Sequence, residues 1–108
     1  TQITTWTERF NKIIRDGIAG TDGVILFSAD SDLAAVRANP AASGFTNMTV
    51  PACNNTTPTN SATFCTANTL VEPNAAETYF WSDSFHPTPH GHRVISDAAL
   101  KLLKEAVR

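Results

Sequence analysis

The sequence lacks the features that mark a nucleic-acid-binding or membrane-spanning protein. Basic residues are not in excess, because 8 lysines and arginines stand against 10 acidic residues in 108, for a formal net charge of -2. Nucleic-acid-binding proteins carry a basic patch or stripe, so we expect no nucleic-acid partner. No apolar run approaches the ~20 residues of a membrane helix. We therefore expect membrane association only through regions outside this chain.

Cysteine is also scarce, and its two residues, Cys53 and Cys65, lie in a polar segment rich in Asn, Thr and Pro. Two free thiols of a cytosolic protein are the alternative, but exposed thiols have no packing role there. We predict a disulfide, which would stabilise the fold by ~3 kcal/mol. Such bonds persist in oxidising compartments, so we expect a secreted or cell-surface protein, extracellular or periplasmic. Residues 1–6 show no signal peptide, so one was removed or Thr1 is not the true N-terminus.

The first forty residues alternate between helical and strand-like patterns. Apolar residues at helical spacing predict an amphipathic helix from about Thr5 to Ala19. Val24–Phe27 is typical of a buried parallel strand, and a short helix should follow from about Ser31 and end before Pro40. This alternation predicts an α/β fold with parallel strands in one small domain. The stripe expected to face the core comprises Ile3, Trp6, Phe10, Ile13, Ile14 and Ile18.

The middle of the chain, about residues 40–77, loses these patterns and is rich in Gly, Pro, Asn, Thr and Ser. Loops of this length are usually functional or locally stabilised. We predict a long surface excursion held by the Cys53–Cys65 disulfide. Its expected anchors in the core are Phe45, Val50, Phe64 and Leu70.

The end of the chain combines a second strand-like run, Thr78–Trp81, with a long helix from about Pro89 to Ala106. Thr88 suits the N-cap of that helix, and proline suits its first position. The predicted buried stripe consists of Val94, Ile95, Ala98, Leu102 and Ala106.

Between the run and the helix lies the segment that indicates chemistry, Asp83-Ser84-Phe85-His86-Pro87. A carboxylate three residues before a histidine can fold back onto the ring and accept the proton on one nitrogen. The other nitrogen is then free to act as a general base toward a hydroxyl. We interpret His86 as the catalytic base and Asp83 as its orienting acid.

This motif resembles the last motif of the GDSL/SGNH hydrolases, Asp-x-x-His-Pro followed by a helix. The resemblance covers nearly the whole chain and implies the C-terminal portion, residues 1–108, of a secreted or autotransporter-type esterase or lipase. It implies a flavodoxin-like three-layer α/β/α fold and hydrolysis of ester or lipid substrates without a metal or cofactor. The similar segments are Gly44-Phe45-Thr46-Asn47, Pro51-Ala52-Cys53, Tyr79-Phe80-Trp81, Asp83, His86-Pro87-Thr88 and Gly91-His92.

The sequence departs from the family in one respect, because no set of nucleophile and oxyanion motifs is recognisable. Ser31, in Ala29-Asp30-Ser31-Asp32-Leu33, follows an apolar run but lacks the preceding glycine and is followed by an extra Asp. We interpret Ser31 as a residue at the start of a helix. The nucleophilic serine is expected in a missing N-terminal part of the same enzyme.

Three other interpretations stay open. The Asp83–His86 segment is also compatible with an Asx turn that carries a surface histidine. A metal site formed by Asp83, His86, His90 and His92 is the second, although His90 and His92 would point to different sides of a helix. The third is a non-catalytic secreted surface or binding module that uses the Asn/Thr-rich loop as its binding face.

Overall fold

The computed structural model describes residues 1–54 and 61–108, and this part of the chain is mainly helical. None of its helices is long and apolar enough to cross a membrane. The α-helices are α1 (Gln2–Ile18), α2 (Ala29–Asp32), α3 (Ala34–Ala38), α4 (Ala75–Thr78) and α5 (Pro89–Ala106), and three 3-10 helices span Pro40–Ser43, Ala62–Phe64 and Ala67–Thr69.

The prediction of an α/β fold with parallel strands is wrong for the described residues, which contain no strand or sheet. The flavodoxin-like three-layer arrangement is therefore wrong as well. The apolar run Val24–Phe27 pairs with no described segment, and Val24, Ile25 and Leu26 are exposed. A strand exists only where a neighbour completes its ladder of backbone hydrogen bonds, and this run has no such neighbour here.

The second predicted strand, Thr78–Trp81, is also absent. Thr78 is the last residue of α4, and the following residues form only isolated bridges, Tyr79 with Asn47 and Trp81 with Pro87. These one-residue pairings do not form a ladder, so no strand results. Phe80 still reaches the interior and is buried.

Helix α1 is present, but it begins after an N-cap at Thr1 rather than at Thr5. Its apolar stripe does not face a core, contrary to the prediction, because no other described element covers it. The exposed fractions are 72% for Ile3, 60% for Trp6, 63% for Phe10 and 61% for Ile13.

The core lies instead between α3, the segment around Phe45 and the N-terminal half of α5. Leu33, Phe45 and Phe80 are its buried centre, and the rings of Phe45 and Phe80 meet edge to face with centroids 5.3 Å apart. Helix α5 has the predicted bounds, with Thr88 as N-cap and Pro89 first. Partly buried side chains around the centre are Val36, Met48, Trp81, Val94, Ile95 and Ala98.

The segment from 40 to 77 is held as a surface excursion by the predicted disulfide, which joins Cys53 and Cys65 with Cα atoms 5.7 Å apart. Of its expected anchors, Phe45 is buried, whereas Val50 and Phe64 are exposed. Short helices interrupt the segment, which the composition did not indicate.

Candidate active site

Asp83 and His86 meet in a tight turn directly before α5. The carboxylate Oδ2 of Asp83 lies 2.7 Å from Nδ1 of His86. Asp83 is buried, with 4% of its side chain exposed, whereas half of the His86 side chain is accessible. The turn thus fixes the inner ring nitrogen against a carboxylate, and the ring keeps an accessible surface for a substrate or a hydroxyl.

Backbone bonds across the turn hold this geometry. The Ser82 N–H donates to the His86 carbonyl at 2.7 Å, and the Ser82 hydroxyl donates to the Pro87 carbonyl at 3.1 Å. Next to it, Thr88 N–H donates to the Phe80 carbonyl at 2.8 Å. The two arms of the turn are therefore joined at its base, next to the Asp83–His86 contact.

The electrostatics of Asp83 favour the charged carboxylate. Burial by itself would raise its pKa, but backbone N–H groups of Phe85, Ala62 and His86 and the His86 ring donate to it. Together these hydrogen bonds hold the pKa of Asp83 well below the ordinary value of an aspartate. The carboxylate is ionised at neutral pH, so it accepts the Nδ1 proton of His86 and leaves Nε2 with a free lone pair in the neutral ring.

Thr88 links the turn to the helix that follows. Its buried hydroxyl accepts the N–H of Gly91 at 3.0 Å and donates to the carbonyl of Tyr79 at 2.7 Å. Gly91 lies close to the backbone of Phe80, since a Cβ at this position would lie 2.8 Å from the Phe80 carbonyl oxygen. The start of α5 therefore packs closely against Tyr79 and Phe80, in the segment that precedes Asp83.

The two other histidines do not join the Asp83–His86 pair. His90 Nε2 donates to the carbonyl of Ser43 at 2.7 Å, and its ring packs on Phe45 with centroids 4.6 Å apart. His92 is exposed on α5. Within residues 1–54 and 61–108, no three His, Cys, Asp or Glu side chains are grouped to hold a metal ion.

Ser31 lies within α2, where its hydroxyl donates to the Ser28 carbonyl at 3.3 Å. This placement matches its interpretation as a residue at a helix start. It makes no contact with His86 among the described hydrogen bonds.

An apolar pocket of about 490 Å³ opens beside the turn. Trp81 and Pro87, which come before and after the Asp83–His86 pair in the sequence, both line it, and so do Asp30 and Arg37, which form an ion pair. A pocket with this lining suits an uncharged hydrocarbon group. The other residues that line it are Ala29, Leu33, Val36, Met48, Thr49, Phe80 and Ile95.

One contact of the site was not predicted from the sequence. The backbone N–H of Ala62, in the disulfide loop, donates to Oδ2 of Asp83 at 2.8 Å. A backbone N–H is the same in nearly every residue type, so the alanine at this position did not indicate a contact with Asp83. The only indirect indication was the disulfide, which brings residues near Cys65 toward the rest of the chain.

The comparisons with known proteins do not assign this chain to a family. No family model matches the sequence, and neither the curated proteins nor the solved structures gave a significant match to it. The geometry around Asp83 and His86 is therefore the basis for a functional proposal.

Proposed function

We propose that this chain supplies the base and the orienting acid of a secreted carboxylic ester hydrolase, an esterase or lipase of the SGNH/GDSL kind. The observation that carries the proposal is the 2.7 Å contact between Asp83 Oδ2 and His86 Nδ1, with the carboxylate buried and the ring half accessible. This is the arrangement in which a serine hydrolase activates its nucleophile. The disulfide between Cys53 and Cys65 supports export to an oxidising compartment.

The mechanism is acyl transfer through a serine from a segment outside these 108 residues. His86 Nε2 takes the proton of the serine hydroxyl as the oxygen attacks the ester carbonyl. The imidazolium that forms is stabilised by the Asp83 carboxylate and then gives its proton to the leaving alcohol. Water, activated by the same nitrogen, hydrolyses the acyl-enzyme and regenerates the serine.

The pocket beside Trp81 and Pro87 supports an ester with an apolar acyl or alcohol group. Its lining is mainly hydrocarbon. Burying a short hydrocarbon chain there would therefore favour binding by about 25 cal/mol of free energy for each Å² of apolar surface removed from water. An ester with a hydrocarbon chain, such as a lipid, therefore fits this lining better than a small polar ester.

Hydrolysis of para-nitrophenyl esters by the full-length protein tests the proposal. We expect His86→Ala to lower kcat by at least about 10⁴-fold, because a Ser-His-Asp site without its base loses most of its catalysis. His92→Ala is the matched control, since it removes an exposed histidine from the helix that follows the turn, and it should keep wild-type activity. Inactivation by an organophosphate and not by a chelator is the expected inhibitor pattern. Undiminished hydrolysis by His86→Ala would remove the catalytic assignment.

A further inference from the structure

We propose that the disulfide loop positions the catalytic acid, through the backbone N–H of Ala62. This inference rests on the proposed function, because it assigns the loop a role in the reaction of that same site. Ala62 and the Cys53–Cys65 disulfide are then positioning groups, which act on His86 through Asp83 and do not touch the substrate.

The four hydrogen bonds that the described residues make to the Asp83 carboxylate divide between its two oxygens. Oδ1 accepts the N–H groups of Phe85 at 3.0 Å and His86 at 2.8 Å, both within the turn itself. Oδ2 accepts the His86 ring at 2.7 Å and the Ala62 N–H at 2.8 Å. Among the described donors, the Ala62 N–H is thus the one that binds the same carboxylate oxygen as the His86 ring. Ala62 lies 21 residues before Asp83 in the sequence.

The Ala62 bond limits how Oδ2 can move. Rotation of the carboxylate about the Cβ–Cγ bond moves both oxygens, and the N–H groups of Phe85 and His86 oppose it at Oδ1 from within the turn. The Ala62 N–H opposes the same rotation at Oδ2, the oxygen that faces the ring, and does so from a segment outside the turn. The ring nitrogen then meets an acceptor of fixed position, which preorganises the general base.

The disulfide in turn fixes Ala62 relative to Asp83. On one side, Cys65 N–H donates to the Ala62 carbonyl at 3.1 Å across the short helix Ala62–Phe64. On the other, Cys53 N–H donates to the carbonyl of Ser82, the residue before Asp83, at 3.0 Å. The covalent bond therefore joins the backbone next to the acid with the turn that donates to it.

Ala62→Pro is the sharpest test, with Ala67→Pro as its matched control. Each alanine begins a 3-10 helix, Ala62 inside the disulfide loop and Ala67 just after it, and each follows a residue in extended backbone, a context that accepts proline. Proline at 62 removes the donor and places a ring carbon where its hydrogen was, so Oδ2 must withdraw. Proline at 67 leaves the Asp83 carboxylate untouched, since that residue makes no bond to it.

Two readouts on the full-length protein separate positioning from general stability. In ester hydrolysis we expect Ala62→Pro to lower kcat by up to about 100-fold with little change in KM, and Ala67→Pro to match the wild type. In ¹⁵N-histidine NMR, neutral His86 of the wild type should be the Nδ1–H tautomer, and Ala62→Pro should give a mixture of tautomers. Cys53→Ala/Cys65→Ala should reproduce both changes.

The inference is overturned if Ala62→Pro keeps both the Nδ1–H tautomer and the wild-type kcat. Equal losses in Ala62→Pro and Ala67→Pro would also overturn it, because the loop would then act only on stability. If the double cysteine variant does not fold, Ala62→Pro decides. If the wild type hydrolyses no ester, the proposed function fails, and the tautomer of His86 still tests whether Ala62 positions Asp83.

Discussion

At the scale of single residues, Asp83 has the most constrained environment of the described titratable groups. It is buried, yet it stays ionised because N–H donors from two segments converge on its two oxygens. In the unfolded chain these donors are lost, and its pKa returns to about 3.9. The folded state therefore binds the proton of this carboxyl less readily than the unfolded state does.

This difference predicts a pH dependence of stability. Because the folded pKa is depressed, the contribution of Asp83 is fully present above the unfolded pKa and is lost as pH falls from about 4 toward the folded pKa. The urea midpoint of the wild type should fall more steeply below about pH 4 than that of Asp83→Asn. Asp97→Asn, an exposed carboxylate on α5, is the control that should keep the wild-type slope. Equal slopes for Asp83→Asn and the wild type would contradict the account.

The sequence predicted the side-chain contacts of the site but not its backbone contacts. The pairing of Asp83 with His86 follows from spacing, since a turn of this length brings the two side chains together. Pairing of Cys53 with Cys65 follows from their being the two cysteines present. The contact of Ala62 was not predicted because its donor is a backbone N–H, which every residue except proline has. Only the folded loop determines which backbone N–H reaches Asp83.

At the scale of elements, the junction between the turn and α5 depends on Gly91. A Cβ at this position would lie 2.8 Å from the Phe80 carbonyl oxygen and 3.0 Å from Cβ of Pro87. The first contact is with backbone that also accepts the Thr88 N–H, so it cannot move away without losing that bond. The helix start and the Asp83–His86 turn therefore share one tightly packed contact.

Gly91→Ala should accordingly destabilise the protein, by about 1–3 kcal/mol, as overpacking usually does. Gly17→Ala is the control, because a Cβ on this glycine of α1 meets no atom within 4 Å. There the exchange should be neutral or stabilise by up to about 1 kcal/mol, since alanine is the better helix former. Free energies of unfolding from urea titration measure both. Stability unchanged by Gly91→Ala would show that the contact is not tight.

Helices were predicted better than strands because their signals are local. The N-cap at Thr88, the proline at the first position and the apolar periodicity place α5 without reference to any other segment. The runs at Val24–Phe27 and Thr78–Trp81 have strand-like composition, but a strand also requires a lateral partner. No described segment provides more than an isolated bridge, so the composition was misleading there.

At the scale of the whole molecule, burial is uneven. The Phe45 and Phe80 cluster packs on α5 and supports the Asp83–His86 turn. The apolar side of α1 and the run Val24–Leu26 are exposed. Periodicity in the sequence identified α1 as amphipathic, but it could not say what lies against the apolar side, because that depends on contacts between distant segments. The core position was thus predicted at Phe45 and around the C-terminal helix, but not along α1.

The most direct test of the central claim is the kcat of ester hydrolysis by the full-length protein carrying Asp83→Asn. The amide is close in size to the carboxylate, but it can donate a hydrogen bond to Nδ1 and so favours the wrong tautomer of His86. If Asp83 holds the base as the 2.7 Å contact indicates, kcat should fall by about 10⁴-fold. A kcat equal to that of the wild type would contradict the account.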